Sequence, residues 1–146
     1  MRCITIRQPW ATLIAIQEKR FETRGWMTRY RGELAIHAGK QIDKEVCREE
    51  PIRSLLAAHG LTAEVLPTGA FVAVCRLADC HPVLDNDGET AILGQRERII
   101  NGQEYGFGDF AIGRYAWELT EMHKLQEPVP AVGKQGIWNW AGNLGI

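Results

Sequence analysis

Residues 1–40 read MRCITIRQPWATLIAIQEKRFETRGWMTRYRGELAIHAGK, and they hold more chemistry than any other part of the chain. Ile4 and Ile6 alternate with Thr5 and Arg7, the two-residue period of a short strand. Pro9 stands where a helix begins, and Trp10, Leu13, Ile14 and Gln17 recur at helical spacing, which predicts a helix running through Lys19. Residues 23–26 turn the chain, Gly32 opens a second strand over 33–37, and Gly39 ends it. Eight Lys/Arg stand against three acids in this segment, net +5, with Trp10, Trp26 and Tyr30 interleaved; the other 106 residues carry net −6. Positive charge beside aromatic rings suits an anionic, planar ligand, of which a nucleotide is the obvious case.

Outward from this segment, Asp43 has the character of an N-cap for a second helix over 44–58, interrupted near Pro51 and closed by Gly60. Residues 70–77, AFVAVCRL, are β-rich and almost continuously apolar, as in a strand buried on both faces or in a small barrel. Residues 84–112 are polar and glycine-rich and predict a long excursion with one helical turn near 95–100. Residues 115–125 form another strand, which Pro128 and Pro130 are expected to break. Trp138 and Trp140 dock the tail on the body. The pattern is α+β, with a mixed, barrel-like sheet and two flanking helices.

The 146 residues suit one domain with a true core. No apolar run approaches the roughly 18–20 residues of a membrane span, and no secretory signal opens the chain, so the cytoplasm is the expected compartment. Cys3, Cys47, Cys75 and Cys80 then read as free core thiols rather than disulfides. The Cys75, Cys80, His81 cluster lacks the paired spacing of a zinc site. Adjacent Cys80 and His81 point to opposite faces of a strand, which argues against a Cys–His nucleophile. No phosphate-binding glycine loop and no serine nucleophile elbow is present.

Three blocks carry a resemblance. They are Ile6-x-Gln8-Pro9-Trp10-Ala11-x-Leu13-Ile14, then Lys19-x-x-Glu22-x-Arg24-x-Trp26, then Arg31-Gly32-x-Leu34-x-Ile36-His37-Ala38. With Gly113-Arg114-Tyr115-Ala116-Trp117-Glu118-Leu119 and Gly133-Lys134-Gln135-Gly136-Ile137-Trp138-Asn139, they make the whole chain resemble a single ASCH domain, a family of the PUA-like superfamily of small β-barrels. The resemblance implies a PUA-like mixed barrel with flanking helices and a cleft for a nucleobase or RNA. Its characterised members include RNA-binding or coactivator-associated modules, a ribonuclease, and amidohydrolases that deacylate N4-acetylcytidine. In those amidohydrolases a Lys, a Thr three residues later and a distant Glu are catalytic. Lys19 matches the Lys, whereas Glu22 stands at the Thr position. The glycine common two residues before the Lys is Gln17 here, which leaves the helix end without its usual left-handed residue.

The leading expectation is hydrolysis of the N4-acyl amide of an acylated cytosine nucleoside, with no cofactor or metal. Residues three apart on a helix share a face, so Lys19 and Glu22 are expected to meet. Glu22 would serve as base and Lys19 as oxyanion stabiliser or proton shuttle, with Glu104 orienting them from the long loop. Arg24, Trp26, Arg114, Tyr115 and Lys134 are the candidate substrate contacts, Trp26 by stacking and Arg114 and Lys134 through phosphate. On spacing alone a Lys–Glu pair is an ordinary surface ion pair, and Trp10, Trp117 and His37 read as structural. The alternative expectation is a non-catalytic module for short single-stranded RNA using the same cleft, and after it a metal-independent ribonuclease using Lys19, Tyr30 or Tyr115, and Arg24. The near-neutral total charge favours the small ligand, because polynucleotide binders draw affinity from neutralising phosphates.

Overall fold

The structure, a computed structural model, describes residues 1–94 and 97–145. Its elements are β1 (Arg2–Gln8), α1 (Trp10–Ala15), β2 (Phe21–Arg24), β3 (Gly32–Ile42), α2 (Lys44–Arg48) and α3 (Ile52–Ala58). They continue as β4 (Ala70–Asn86), β5 (Ala91–Leu93), β6 (Arg98–Ile100), α4 (Gly102–Gly106), β7 (Tyr115–Pro130) and β8 (Ile137–Asn139). The fold is mixed α+β, mostly sheet with short helices. Strands pair in the order β2-β7-β4-β3-β1-β8, with β5 on β4 and β6 on β5. This path is open, so among the described residues the sheet is not closed into the expected barrel. Contacts divide the chain into two compact units, residues 1–18, 33–75 and 122–146 in the first and 19–32 and 76–121 in the second.

In the first unit β1 runs parallel to β3, with Cys3 opposite Ala35 and Ile6 opposite Ala38, and β8 joins β1 antiparallel. Its core gathers Cys3, Ala35, Phe71, Val74, Leu125, Trp138 and Leu144. Phe71 stacks on Trp138 at 5.7 Å and meets Trp140 at 4.7 Å, so both tail tryptophans are fastened as the sequence suggests. His37 is structural: Nε2 donates to the Ala131 carbonyl at 2.8 Å, and Nδ1 takes the Thr5 hydroxyl at 3.2 Å. Asp43 caps α2, its carboxylate accepting the Val46 N–H, and the helical stretch breaks at Pro51 as expected.

The second unit holds the β2–β7 ladder and the β4–β5–β6 meander around Phe21, Val83, Ala91, Leu93, Ile100, Phe110 and Ala116. Here the sequence reading needs correction. Residues 84–112 are not an irregular excursion: β4 continues to Asn86, β5, β6 and α4 follow. Of the turn expected near 95–100, residues 95 and 96 lie outside the described residues and Arg98–Ile100 is strand. Three-residue strands are too short to show a period. Asp87-Gly88 was the readable signal, for the Asp87 carboxylate accepts the Glu89 and Thr90 N–H groups at 2.9 and 2.8 Å. Pro128 and Pro130 also do not break β7, which runs through them where both are exposed.

The helix expected through Lys19 ends at Ala15. Gln17 adopts φ +65°, Gln17 N–H bonds the Ile14 carbonyl at 3.0 Å, and Glu18 N–H bonds the Leu13 carbonyl at 2.9 Å. That pair of bonds is a Schellman closure, with glutamine in the left-handed place that glycine normally takes. The helix end therefore keeps its turn despite the substitution. Gln17 is exposed and a left-handed non-glycine residue is strained, so Gln17→Gly is expected to raise stability by about 0.5–1 kcal/mol, read as a higher denaturant midpoint at constant slope.

Candidate active site

The turn at Gln17 delivers the chain into Lys19, whose side chain is buried with 2% exposure. Its Nζ donates to the Phe107 carbonyl at 2.8 Å. Burial holds the amine below the usual lysine range, while the negative charges of Glu22 and then Glu104 oppose that shift. The two carboxylates thus lie near enough to act on Lys19, but not by the expected route. Lys19 and Glu22 do not share a helix face: Lys19 follows the turn, and Glu22 sits in β2.

β2 pairs antiparallel with β7, setting Phe21 opposite Glu118, Glu22 opposite Trp117, Thr23 opposite Ala116 and Arg24 opposite Tyr115. Alternation puts Glu22, Arg24, Tyr115 and Trp117 on one face of this ladder and Phe21, Thr23, Ala116 and Glu118 on the other. Glu22 is 9% exposed and its Oε2 receives Arg24 Nε at 2.9 Å and Nη2 at 2.8 Å. Trp26 meets the fully buried Trp117 edge-on, centroids 4.8 Å apart, and stays 41% exposed. Tyr115 is half-buried.

Glu104 comes from α4, and its carboxylate accepts the Arg20 N–H at 2.8 Å and the Phe21 N–H at 3.3 Å. Its oxygens therefore hold the backbone just after Lys19, which makes it a positioning residue. Together with Phe107, α4 and the residue after it clasp residues 19–21 at three points. Arg114 is engaged elsewhere: Nε donates to the Asp109 carbonyl at 3.0 Å and Nη2 to the Thr23 carbonyl at 3.2 Å. It braces a loop rather than standing open to phosphate. Lys134 is exposed and belongs to the first unit.

Sequence reasoning missed a polar cluster on the other ladder face. Glu118 Oε1 accepts His81 Nε2 at 2.8 Å and Arg98 Nη1 at 2.7 Å, and these partners hold its carboxyl below the usual range against the raising effect of burial. The only hint was a histidine and a glutamate within strand sequences far apart in the chain. Burial pushes the Cys75 thiol up to about 12 and raises Cys80, so neither is a ready nucleophile. Among the described residues no group of three or more His, Cys, Asp or Glu is placed to hold a metal ion, and no helix is long and apolar enough to cross a membrane.

The lowered Lys19 value has a testable sign. Below it the folded chain carries the full penalty of a buried charge; between it and the unfolded value of 10.5 the unfolded state binds more protons, so stability rises with pH. Thermal melts from pH 7 to 10.5 are expected to show this rise in the wild type relative to Lys19→Met. Parallel curves for the two proteins would refute it.

A profile of the ASCH domain matches residues 4–128. Activating signal cointegrator 1 of Homo sapiens is 35% identical over 83 residues, covering 53% of this chain and 14% of that protein. The Mus musculus protein of the same name is 36% identical over 83 residues, with the same coverage. The chain thus spans a small part of the length of these relatives. With most of its residues inside the family's profile, the chain belongs to the ASCH domain family.

Proposed function

We propose that this protein is a cytoplasmic amidohydrolase that cleaves the N4-acyl amide of acylated cytosine nucleosides, binding the base against the β2–β7 face. The observation that carries the reading is the buried Lys19 amine with Glu22 and Glu104 charges beside it. A desolvated lysine near carboxylates is far more at home in a reaction site than in a scaffold. The cytosine and acyl specificity comes from the family resemblance.

In this mechanism Glu22, ion-paired with Arg24, takes a proton from water as the water oxygen bonds the acyl carbon. The carbonyl electron pair moves onto oxygen, and the Lys19 ammonium faces the resulting oxyanion. Collapse restores the carbonyl, breaks the bond from carbon to N4, and passes the proton from Glu22 to the departing nitrogen. The products are the carboxylic acid and cytidine. Glu104 acts through the backbone of residues 20 and 21, keeping Lys19 in place.

A second reading, an RNA-binding module, is favoured by the exposed Trp26 and Met27 beside exposed Arg29, a stacking platform with a nearby cation. The relatives' name, signal cointegrator, specifies no reaction and sits easily with it. Salt separates the two. RNA binding weakens steeply as salt rises, whereas turnover of a neutral nucleoside is insensitive to it.

The wild type is expected to release cytidine from N4-acetylcytidine, followed by absorbance. Lys19→Ala and Glu22→Ala each lose about 100-fold or more in kcat. Activity falls at alkaline pH as Lys19 loses its proton, earlier than an ordinary lysine would. A folded wild type without turnover, combined with salt-sensitive RNA binding, replaces the enzyme with the module.

A further inference from the structure

Among the described residues, one buried side-chain nitrogen or oxygen lacks a hydrogen-bond partner: Nε1 of Trp117. A buried donor without an acceptor costs a folded chain stability, and native structures rarely leave one. The second unit satisfies its other buried polar side chains. Lys19 reaches the Phe107 carbonyl, Glu22 holds Arg24, and the Thr28 hydroxyl accepts the Tyr30 N–H at 3.1 Å. The exception therefore falls on the residue directly opposite Glu22 in the β2–β7 ladder.

Indole nitrogen only donates, so its natural complement is an acceptor without a proton of its own, such as a carbonyl oxygen. The neighbours specify the rest of the ligand. Trp26, 41% exposed, lies edge-on to Trp117 and offers a ring face to a planar group. Arg24 and Tyr115 share the ladder face. We propose that Trp117 is the specificity-determining residue of this site, its Nε1 donating to the ring carbonyl oxygen of a pyrimidine base whose face rests on Trp26. The inference rests on the cytosine reading above and deepens it. Because Nε1 is covered, the base reaches it only when a neighbouring side chain moves aside, with Trp26 still offering its face. A donor left unpaired by the wrong base discriminates far better than an apolar wall, which is how a small site selects among ring systems.

The test replaces Trp117 with 3-benzothienylalanine, which keeps the ring shape and exchanges N–H for sulfur; Trp117→Phe is the genetically simple second variant, with circular dichroism confirming its fold. Binding of N4-acetylcytidine, of its 2-thio analogue and of a short cytidine-containing RNA is titrated, alongside the indole N–H signals in nitrogen–proton spectra. The expected result is about 10-fold weaker binding of N4-acetylcytidine by the benzothienyl protein. The same protein no longer distinguishes the oxygen from the sulfur ligand, and in the wild type the Trp117 indole proton moves downfield on binding. RNA giving the same indole shift where the free nucleoside gives none supports the donor role with a polymer as the ligand. Equal affinity in wild type and benzothienyl protein, with the Trp117 signal unmoved while others shift, overturns the donor role and leaves the cytosine reading standing. No binding of either free nucleoside or RNA overturns both.

Discussion

A lysine amine taken out of water must be met by an acceptor, and the geometry of the second unit follows from how Lys19 meets that demand. Its partner is the Phe107 carbonyl at the end of α4, so α4 has to lie against residues 19–21. Glu104 completes the arrangement by taking the two backbone N–H groups that follow Lys19. The chain spends the desolvation of one charge to bind a short helix to a strand whose one ladder partner among the described residues is β7. Such an expense is unusual in a scaffold, where an apolar side chain in the same place would be at least as stable.

The two faces of the β2–β7 ladder divide the chemistry. On one, Phe21 and Ala116 belong to the unit's core, and Glu118 is committed to His81 and Arg98. On the other, Glu22, Arg24, Tyr115 and Trp117 line up opposite one another in register, with Trp26 half in solvent. A slip of one residue would exchange these faces, burying charge and exposing Phe21. Register here is therefore as much a condition of the site as any single residue.

Much of this was readable in the sequence, and the failures share a cause. Lys19, Glu22, Arg24 and Glu104 stood out by type and motif, and the α+β character, the break at Pro51 and the docked tail followed from local pattern. What failed was geometry that depends on distant pairing. Lys19 and Glu22 were placed on a helix because the apolar spacing of Trp10, Leu13, Ile14 and Gln17 continues past the point where the helix stops. Only backbone conformation reveals that Gln17 turns left-handed. The His81–Glu118 contact spans 37 residues and the bracing of Arg114 against Thr23 spans 91, neither visible in a window of local periodicity. The barrel-like sheet was read from the apolar run over 70–77 as well as from the resemblance, and strand pairing does not close it among the described residues.

The clasp around residues 19–21 also has a kinetic side. Its bonds join groups 88, 84 and 83 positions apart in the chain, so they rank among the highest-order contacts in the molecule. Closing so long a loop costs chain entropy before any reward arrives, which places such contacts late in assembly. The strands and the aromatic core can form while the lysine is still hydrated, and the charge is desolvated only in the last step. Opening follows the reverse order. α4 and the chain after it are thus the natural first piece to detach, which would restore water to the buried amine without unravelling the sheet.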